Sequence, residues 1–227
     1  MSAIFVTGTD TGAGKTAIAC ALARSARSAG LHVRVLKPIE TGCARGADGE
    51  LVPADALALA AAAGDRAPLA QLCPYRLALP AAPEAAAAAE GAAIELGPIA
   101  DALALARKHA DLVIVEGAGG LLVPIAPGLD MAALAARFDL PLVIAARAAL
   151  GTINHTLLTL EAARGRDLRV LGVAVSHTTP ALSPADRRNL DLLLARLPVR
   201  FLGELAHGAR ELPGFDPLAF VSSAGSA

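Results

Sequence analysis

"AIFVTGTDTGAGKT", residues 3–16, decides how the rest of the chain is read. Its first six residues are apolar and rich in β-formers, as a buried strand requires. Glycines then crowd around Lys15 and Thr16, and "KTAIACALARSARSAG" (15–30) continues as an amphipathic helix stopped by Gly30. A strand that turns through glycines into a helix aims successive backbone N–H groups at one point, at the positive end of the helix. That is an anion cradle, and Lys15 adds a cation that reaches the outer phosphates of a nucleotide, with the Thr16 hydroxyl placed for Mg²⁺. The usual spacing G-x-x-x-x-G-K-[ST] asks for glycine at residue 9, where this chain has Thr9. Its glycine stands one place earlier, at Gly8, while the strand-loop-helix setting is the one the motif needs.

Outward from this loop, short β-rich runs alternate with longer alanine/leucine runs. Strands are expected at 32–38, 111–117, 141–146, 169–175 and 199–205, and helices near 54–64, 83–90, 97–109, 152–165 and 184–196. Alternation of this kind implies right-handed crossovers and an α/β fold, a mostly parallel sheet flanked by helices on both faces. Together with the loop this predicts a P-loop NTPase-like three-layer sandwich. A single domain is expected over 1–220, with 221–227 ("VSSAGSA") as a loose tail.

The bulk composition excludes several classes. Glu116 and Arg147 interrupt the most apolar windows, well short of the roughly 20 residues a spanning helix needs, so no membrane association is expected. The net charge of −1, with no basic cluster, argues against nucleic acid. Cys20, Cys43 and Cys73 form no C-x-x-C pair and suit a reducing, cytoplasmic compartment.

In an open parallel sheet, ligands gather at the carboxyl ends of the strands. That rule brings the 8–16 loop, Lys37 of "LKPIETG" (36–42), Glu116 of "VIVEGAGG" (113–120) and "ALGTINHTLLTLEA" (149–162) to one rim. Lys37, at the end of its strand, is placed to meet an anionic or transferring group, and Thr41 offers a hydroxyl nearby. Glu116 closes a buried strand and needs a counter-charge, either Mg²⁺ or a lysine. Asp55 of "PADALALA" (53–60) by itself reads as an ordinary acidic helix start. The glycine, threonine and asparagine at 151, 152 and 154 open a helix whose free N–H groups suit a carboxylate. His155 has no second histidine at metal-binding spacing and reads as structural.

Taken together, "VTGTDTGAGKT", "LKPIETG", "ADALALA", "VEGAGGLLVPI" and "LGTINHTLLTLEA" resemble the dethiobiotin synthetases, ATP-dependent enzymes that close the ureido ring in biotin synthesis. The motifs follow that family's order from residue 4 to about 165, and its loop, G-T-D-T-x-V-G-K-T, differs here only in Ala13. The resemblance implies that 7,8-diaminononanoate, CO₂ (or bicarbonate) and MgATP are converted to dethiobiotin, ADP and phosphate through a carbamate and a carbamic-phosphoric mixed anhydride. It assigns catalysis to Lys15 and Lys37. It assigns the nucleotide to Gly12, Ala13, Gly14, Lys15, Thr16, Ala17, Asp55, Glu116, Gly117, Ala118, Gly119, Ser176 and His177, and Mg²⁺ to Thr16, Asp55 and Glu116. The diamine substrate falls to Thr11, Lys37, Thr41, Gly151, Thr152 and Asn154, its carboxylate shared across a homodimer interface. Ser176 and His177 replace the family's usual Asn-Asp pair, and a serine cannot present an amide's paired donor and acceptor, so relaxed nucleotide use is expected. Two other classes make different demands on the sequence. A partitioning or positioning ATPase switch would carry a lysine where Asp10 stands, and an amidase-type synthetase would add a glutaminase domain.

Overall fold

The computed structural model describes residues 2–225. In chain order the first half comprises β1 (Ser2–Gly8), α1 (Lys15–Ser28), β2 (Val33–Leu36), β3 (Ile39–Thr41), β4 (Ala44–Arg45), β5 (Leu51–Val52), α2 (Ala54–Ala63), α3 (Leu69–Leu72), β6 (Tyr75–Leu77), α4 (Pro83–Ala89) and α5 (Leu96–Lys108). The second half comprises β7 (Leu112–Gly120), β8 (Pro124–Ala126), β9 (Leu129–Asp130), α6 (Met131–Arg137), β10 (Leu142–Arg147), α7 (Thr152–Arg164), β11 (Val170–Ser176), α8 (Pro184–Leu194), β12 (Phe201–Leu205) and α9 (Pro217–Gly225).

Six strands form the main sheet in the order β12-β11-β10-β1-β7-β2, every neighbouring pair parallel. The α/β sandwich expected from the sequence is therefore the fold found. Successive residues of a strand point to opposite faces, and both faces here are covered. On β1, Ile4 and Val6 enter one core while Phe5 enters the other; on β7, Leu112 and Ile114 separate from Val113 and Val115 in the same way. Coverage of both faces explains why these strands read as continuous apolar runs rather than alternating ones. Alanines at 19, 21, 23 and 26 of α1 are fully buried, and their small side chains let the helix lie close to the sheet with few aromatics in the core.

Register places the site. Leu36 of β2 pairs with Val115 of β7, so the next residues, Lys37 and Glu116, leave the two strands side by side. On its other edge β7 keeps register with β1 as far as Val6 and Glu116, then shifts, so that Gly8 meets Gly120. The extra residues of this bulge re-aim the chain at the rim.

Several expectations need correction. β2 stops at Leu36 rather than residue 38, because Pro38 has no N–H to give and the Lys37 N–H turns to the Leu72 carbonyl at 2.8 Å. The small parallel pair of β3 with β6, and the helix α6, were not anticipated. The segment from residue 221, expected to be loose, is the second half of α9 as far as Gly225, and residues 226–227 lie outside the described residues. α9 is started by Asp216, whose Oδ1 accepts the N–H groups of Leu218 and Ala219 at 3.0 and 3.1 Å. It packs along β1, with Phe220 and Ala224 buried in the core shared with α1.

If α9 belongs to the core, Phe220→Ala should lower unfolding stability by about 3–5 kcal/mol in urea titrations. A loose tail would give no change in midpoint.

Candidate active site

The phosphate loop owes its shape to glycine. Gly12 and Gly14 adopt φ of +74° and +85°, a region where a Cβ is strained. Gly8 answers a different need. A methyl group added there would lie 2.9 Å from the Asp10 carbonyl oxygen and 3.1 Å from Cγ of Lys15. The aliphatic stem of Lys15 crosses the Cα of Gly8, which is why this loop needs a glycine one place early. Asp10 turns back on the loop, accepting the Thr11 N–H at 2.7 Å and standing 3.8 Å from Arg147 at the end of β10.

Beneath the loop lies a buried charge cluster. The Glu116 side chain is fully buried, and its Oε1 accepts from the Thr16 hydroxyl at 2.9 Å and from Lys37 Nζ at 2.6 Å. Lys37 Nζ also donates to the Gly117 carbonyl at 3.1 Å and stands 3.3 Å from Asp55 Oδ2. Burial acts most strongly on the Lys37 ammonium and disfavours its charge, but Glu116 and then Asp55 outweigh it and hold the pKa above the ordinary lysine value. For Lys15 burial wins; with Lys37 nearby it pulls the pKa below the ordinary value, so an incoming phosphate supplies the anion that Lys15 lacks.

Lys15, Lys37, Thr11, Thr16, Thr41 and Asp55 line one cavity of about 650 Å³, together with Gly12, Gly14, Ala118 and Gly119. Pro80–Pro83 and Val123 form its far wall. Glu116 and Gly117 lie under its floor, reached through Thr16 and Lys37. Ala13 is buried, and Ala17 is exposed on the first turn of α1. Glu40 also lines the cavity and was missed by the sequence reading. It is buried, and its two carboxylate oxygens accept the backbone N–H groups of Asp55 and Ala56. Its only local signal was a carboxylate inside the otherwise apolar start of "IET".

Two groups of expected residues stand outside this cavity. Ser176 ends β11 buried against the phosphate loop, where a Cβ on Gly14 would collide with its side chain. His177 follows, with Nε2 2.9 Å from Glu204 Oε2, while Arg187 grips both oxygens of Glu204 at 3.0 Å. Gly151, Thr152 and Asn154 form the start of α7, with Gly151 at φ +91° as its N-cap and the Thr152 hydroxyl buried without a partner. None of the three lines the cavity.

Fold and loop together define a nucleotide-binding P-loop protein. A family model described as an AAA domain matches residues 2–209. Among solved structures, the chain is similar to the cell division protein FtsY of Thermotoga maritima, with a TM-score of 0.56 and 21% identity over 100% of this chain and 69% of that one. It is also similar to the MinC:MinD cell division complex of Aquifex aeolicus, with a TM-score of 0.52 and 13% identity, covering 99% and 86%. At these identities the likeness speaks for the fold alone.

Sequence relatives go further. The chain is 48% identical to the ATP-dependent dethiobiotin synthetase BioD of Anaeromyxobacter dehalogenans (strain 2CP-C), over 82% of this chain and 81% of the relative. It is 44% identical to that of Anaeromyxobacter sp. (strain K), over 93% and 96%, and 40% identical to that of Aromatoleum aromaticum, over 96% and 95%. The chain belongs to the ATP-dependent dethiobiotin synthetase family.

Two outcomes test the geometry. Gly8→Ala should weaken binding of a fluorescent ATP analogue about tenfold or more, close to 1.4 kcal/mol, by displacing the Lys15 stem; unchanged affinity would contradict the packing described. Glu116→Ala strands the Lys37 ammonium without its nearest partner and should cost about 3–5 kcal/mol of unfolding stability in denaturant titrations.

Proposed function

We propose that the cavity under the phosphate loop carries out the ATP-dependent ring closure of 7,8-diaminononanoate with CO₂ to dethiobiotin. Membership of the family makes the chain an ATP-dependent cyclo-ligase of biotin biosynthesis. The observation that carries the finer reading is the shared carboxylate: Glu116 Oε1 binds Thr16 of the phosphate loop and Lys37 of the second strand at once. A nucleotide held by the loop and an acceptor held by Lys37 therefore meet over one residue.

The chemistry follows in order. One amine captures CO₂ as a carbamate, and a carbamate oxygen attacks the γ-phosphorus, releasing ADP and leaving a carbamic-phosphoric anhydride. The second amine attacks the carbonyl carbon, expelling phosphate and closing the five-membered ring. A carbamate is a weak nucleophile and the phosphoryl group strongly anionic, so the protein contributes mainly position and charge neutralisation. Lys15 sits over the outer phosphates. Lys37 binds the carbamate and offsets charge on the transferring group. Of the three oxygens around its Nζ, that of Asp55 is the most distant and belongs to the most exposed residue, so it is the contact Lys37 gives up to reach substrate. Thr11 and Thr41 line the same cavity, where their hydroxyls would meet the diamine.

The site suits magnesium. Glu116 Oε2 is buried without a hydrogen-bond partner, the Thr16 hydroxyl bonds Oε1 of the same carboxylate, and Asp55 meets the same Lys37 ammonium at 3.3 Å. Among the described residues no three His, Cys, Asp or Glu side chains form a complete metal cage. Mg²⁺ takes one or two carboxylates and completes its shell with phosphates and water. Thr16, Asp55 and Glu116 would hold it, and it would neutralise charge on the β- and γ-phosphates.

The Thr152 N–H is given to the Ala149 carbonyl at 3.1 Å, and the other N–H groups of the first turn of α7 suit the substrate carboxylate, yet this helix start lies outside the cavity of its own protomer. A homodimer resolves this, with Gly151, Thr152 and Asn154 serving the partner's cavity. Leu122, Leu150 and Leu158 on this flank are 52%, 79% and 60% exposed, an apolar surface that a second copy would cover. At the end of the neighbouring strand β11 the His177 ring is engaged by Glu204, which leaves it one free ring nitrogen for a base. ATP, CTP and GTP should therefore all support turnover, and ATP exceeding the others a hundredfold would count against that reading. The cysteines among the described residues are free and buried, and burial raises the Cys20 thiol to about 11, which suits a reducing cytoplasm.

The direct test mixes purified protein with diaminononanoate, bicarbonate and MgATP and looks for dethiobiotin by mass. Lys37→Ala should retain nucleotide binding while turnover falls by orders of magnitude, as expected when transition-state charge stabilisation is lost. Unchanged turnover would remove Lys37 from the reaction.

A further inference from the structure

Glu40 has no part in the steps above, yet both of its oxygens are committed. Helix α2 begins after Pro53, a residue with no side-chain acceptor for the N–H groups of the first turn. Such groups are ordinarily met by a Ser, Thr, Asp or Asn at the cap itself. Here the acceptor comes from another element. Glu40, on β3, takes the Asp55 N–H on Oε1 at 2.9 Å and the Ala56 N–H on Oε2 at 3.0 Å. The residue is 6% exposed and lies beside Thr41 in the cavity wall.

The buried face of α2 is held against α1 and β2, and a local cap would satisfy the same N–H groups, but it would leave the first turn untied to β3. A cap from β3 does not. β3 continues directly from Lys37 through Pro38, and Asp55 is the residue whose carboxylate reaches back to Lys37 Nζ at 3.3 Å. The Glu40 bonds thus close a ring running from Lys37 along β3 to Glu40, across to the Asp55 backbone, and back through the Asp55 side chain to Lys37. Both links from Glu40 are backbone contacts, so they fix the position of Asp55 without using its carboxylate.

We propose that Glu40 is a positioning residue for Asp55: by fixing the first turn of α2 to β3 it holds the Asp55 carboxylate opposite Glu116, and so sets the affinity for the magnesium–nucleotide complex. The proposal rests on the reading of Thr16, Asp55 and Glu116 as the magnesium-facing oxygens.

Calorimetry with MgADP, and with ADP in the presence of a chelator, separates this role from simple helix stabilisation without requiring turnover. Glu40→Gln should weaken MgADP about tenfold, or 1.4 kcal/mol, and leave metal-free ADP nearly unchanged. In an Asp55→Asn background the same substitution should add nothing further, the non-additivity expected when one residue acts through another. Glu40→Ala combined with Pro53→Ser supplies a local cap to the same two N–H groups. That pair should recover thermal stability while MgADP binding stays weak. Recovery of MgADP affinity along with stability would overturn the proposal, as would equal losses for both forms of ADP, or losses that add to those of Asp55→Asn. Should Glu40→Gln fail to fold, the Glu40→Ala/Pro53→Ser pair decides alone. Failure to form dethiobiotin would sink the functional reading and leave these binding outcomes untouched.

Discussion

An ammonium and a carboxylate taken out of water together constrain everything else in this protein. The Lys37 and Glu116 side chains are 3% and 0% exposed and meet at 2.6 Å. Removing such charges from solvent is costly, and the pair is tolerable only with close geometry and further hydrogen bonds. Thr16, Gly117 and Asp55 provide these. The pair in turn demands that β2 and β7 be neighbours in register, that β7 bulge after Glu116, and that the phosphate loop bring Thr16 down from the adjacent strand. Sheet order, bulge and loop are thus one arrangement seen from three sides.

That arrangement stands on a scaffold that FtsY and the MinC:MinD complex share at low identity, and a fold by itself does not determine chemistry. The features that bear on chemistry are local. Asp10 occupies the position a positioning ATPase would give to a lysine, and in this chain it closes on its own loop and toward Arg147. Beyond the phosphate loop the cavity is lined by Lys37 at the end of β2, by Glu40 and Thr41 of β3 and by Pro80–Pro83.

Much of this was legible in the chain, for identifiable reasons. Long strands buried on both faces announce themselves as apolar runs, and β1, β7, β10 and β11 do so. The rule that ligands collect at strand ends brings Lys15, Lys37 and Glu116 to one rim from the sequence alone. Elements of two or three residues, such as β3 and β6, carry too little pattern to be read, because their pairing depends on partners more than thirty residues away. Glu40 was invisible for the same reason, since its role is a hydrogen bond to another element. α9 carries a local signal of its own. Asp216 followed by Pro217 is a helix-start signal, but the Ser/Gly-rich end obscured it and only Phe220 marked a buried face.

The central claim is that an anion made from CO₂ takes phosphorus beside Lys37. Oxygen tracing tests it most directly. With CO₂ carrying ¹⁸O, turned over in unlabelled water fast enough to limit exchange, the released phosphate should contain one labelled oxygen, because the anhydride's bridging atom leaves with phosphorus. Phosphate that carries only unlabelled oxygen while dethiobiotin forms would mean that no carbamate was phosphorylated, and the account would fail.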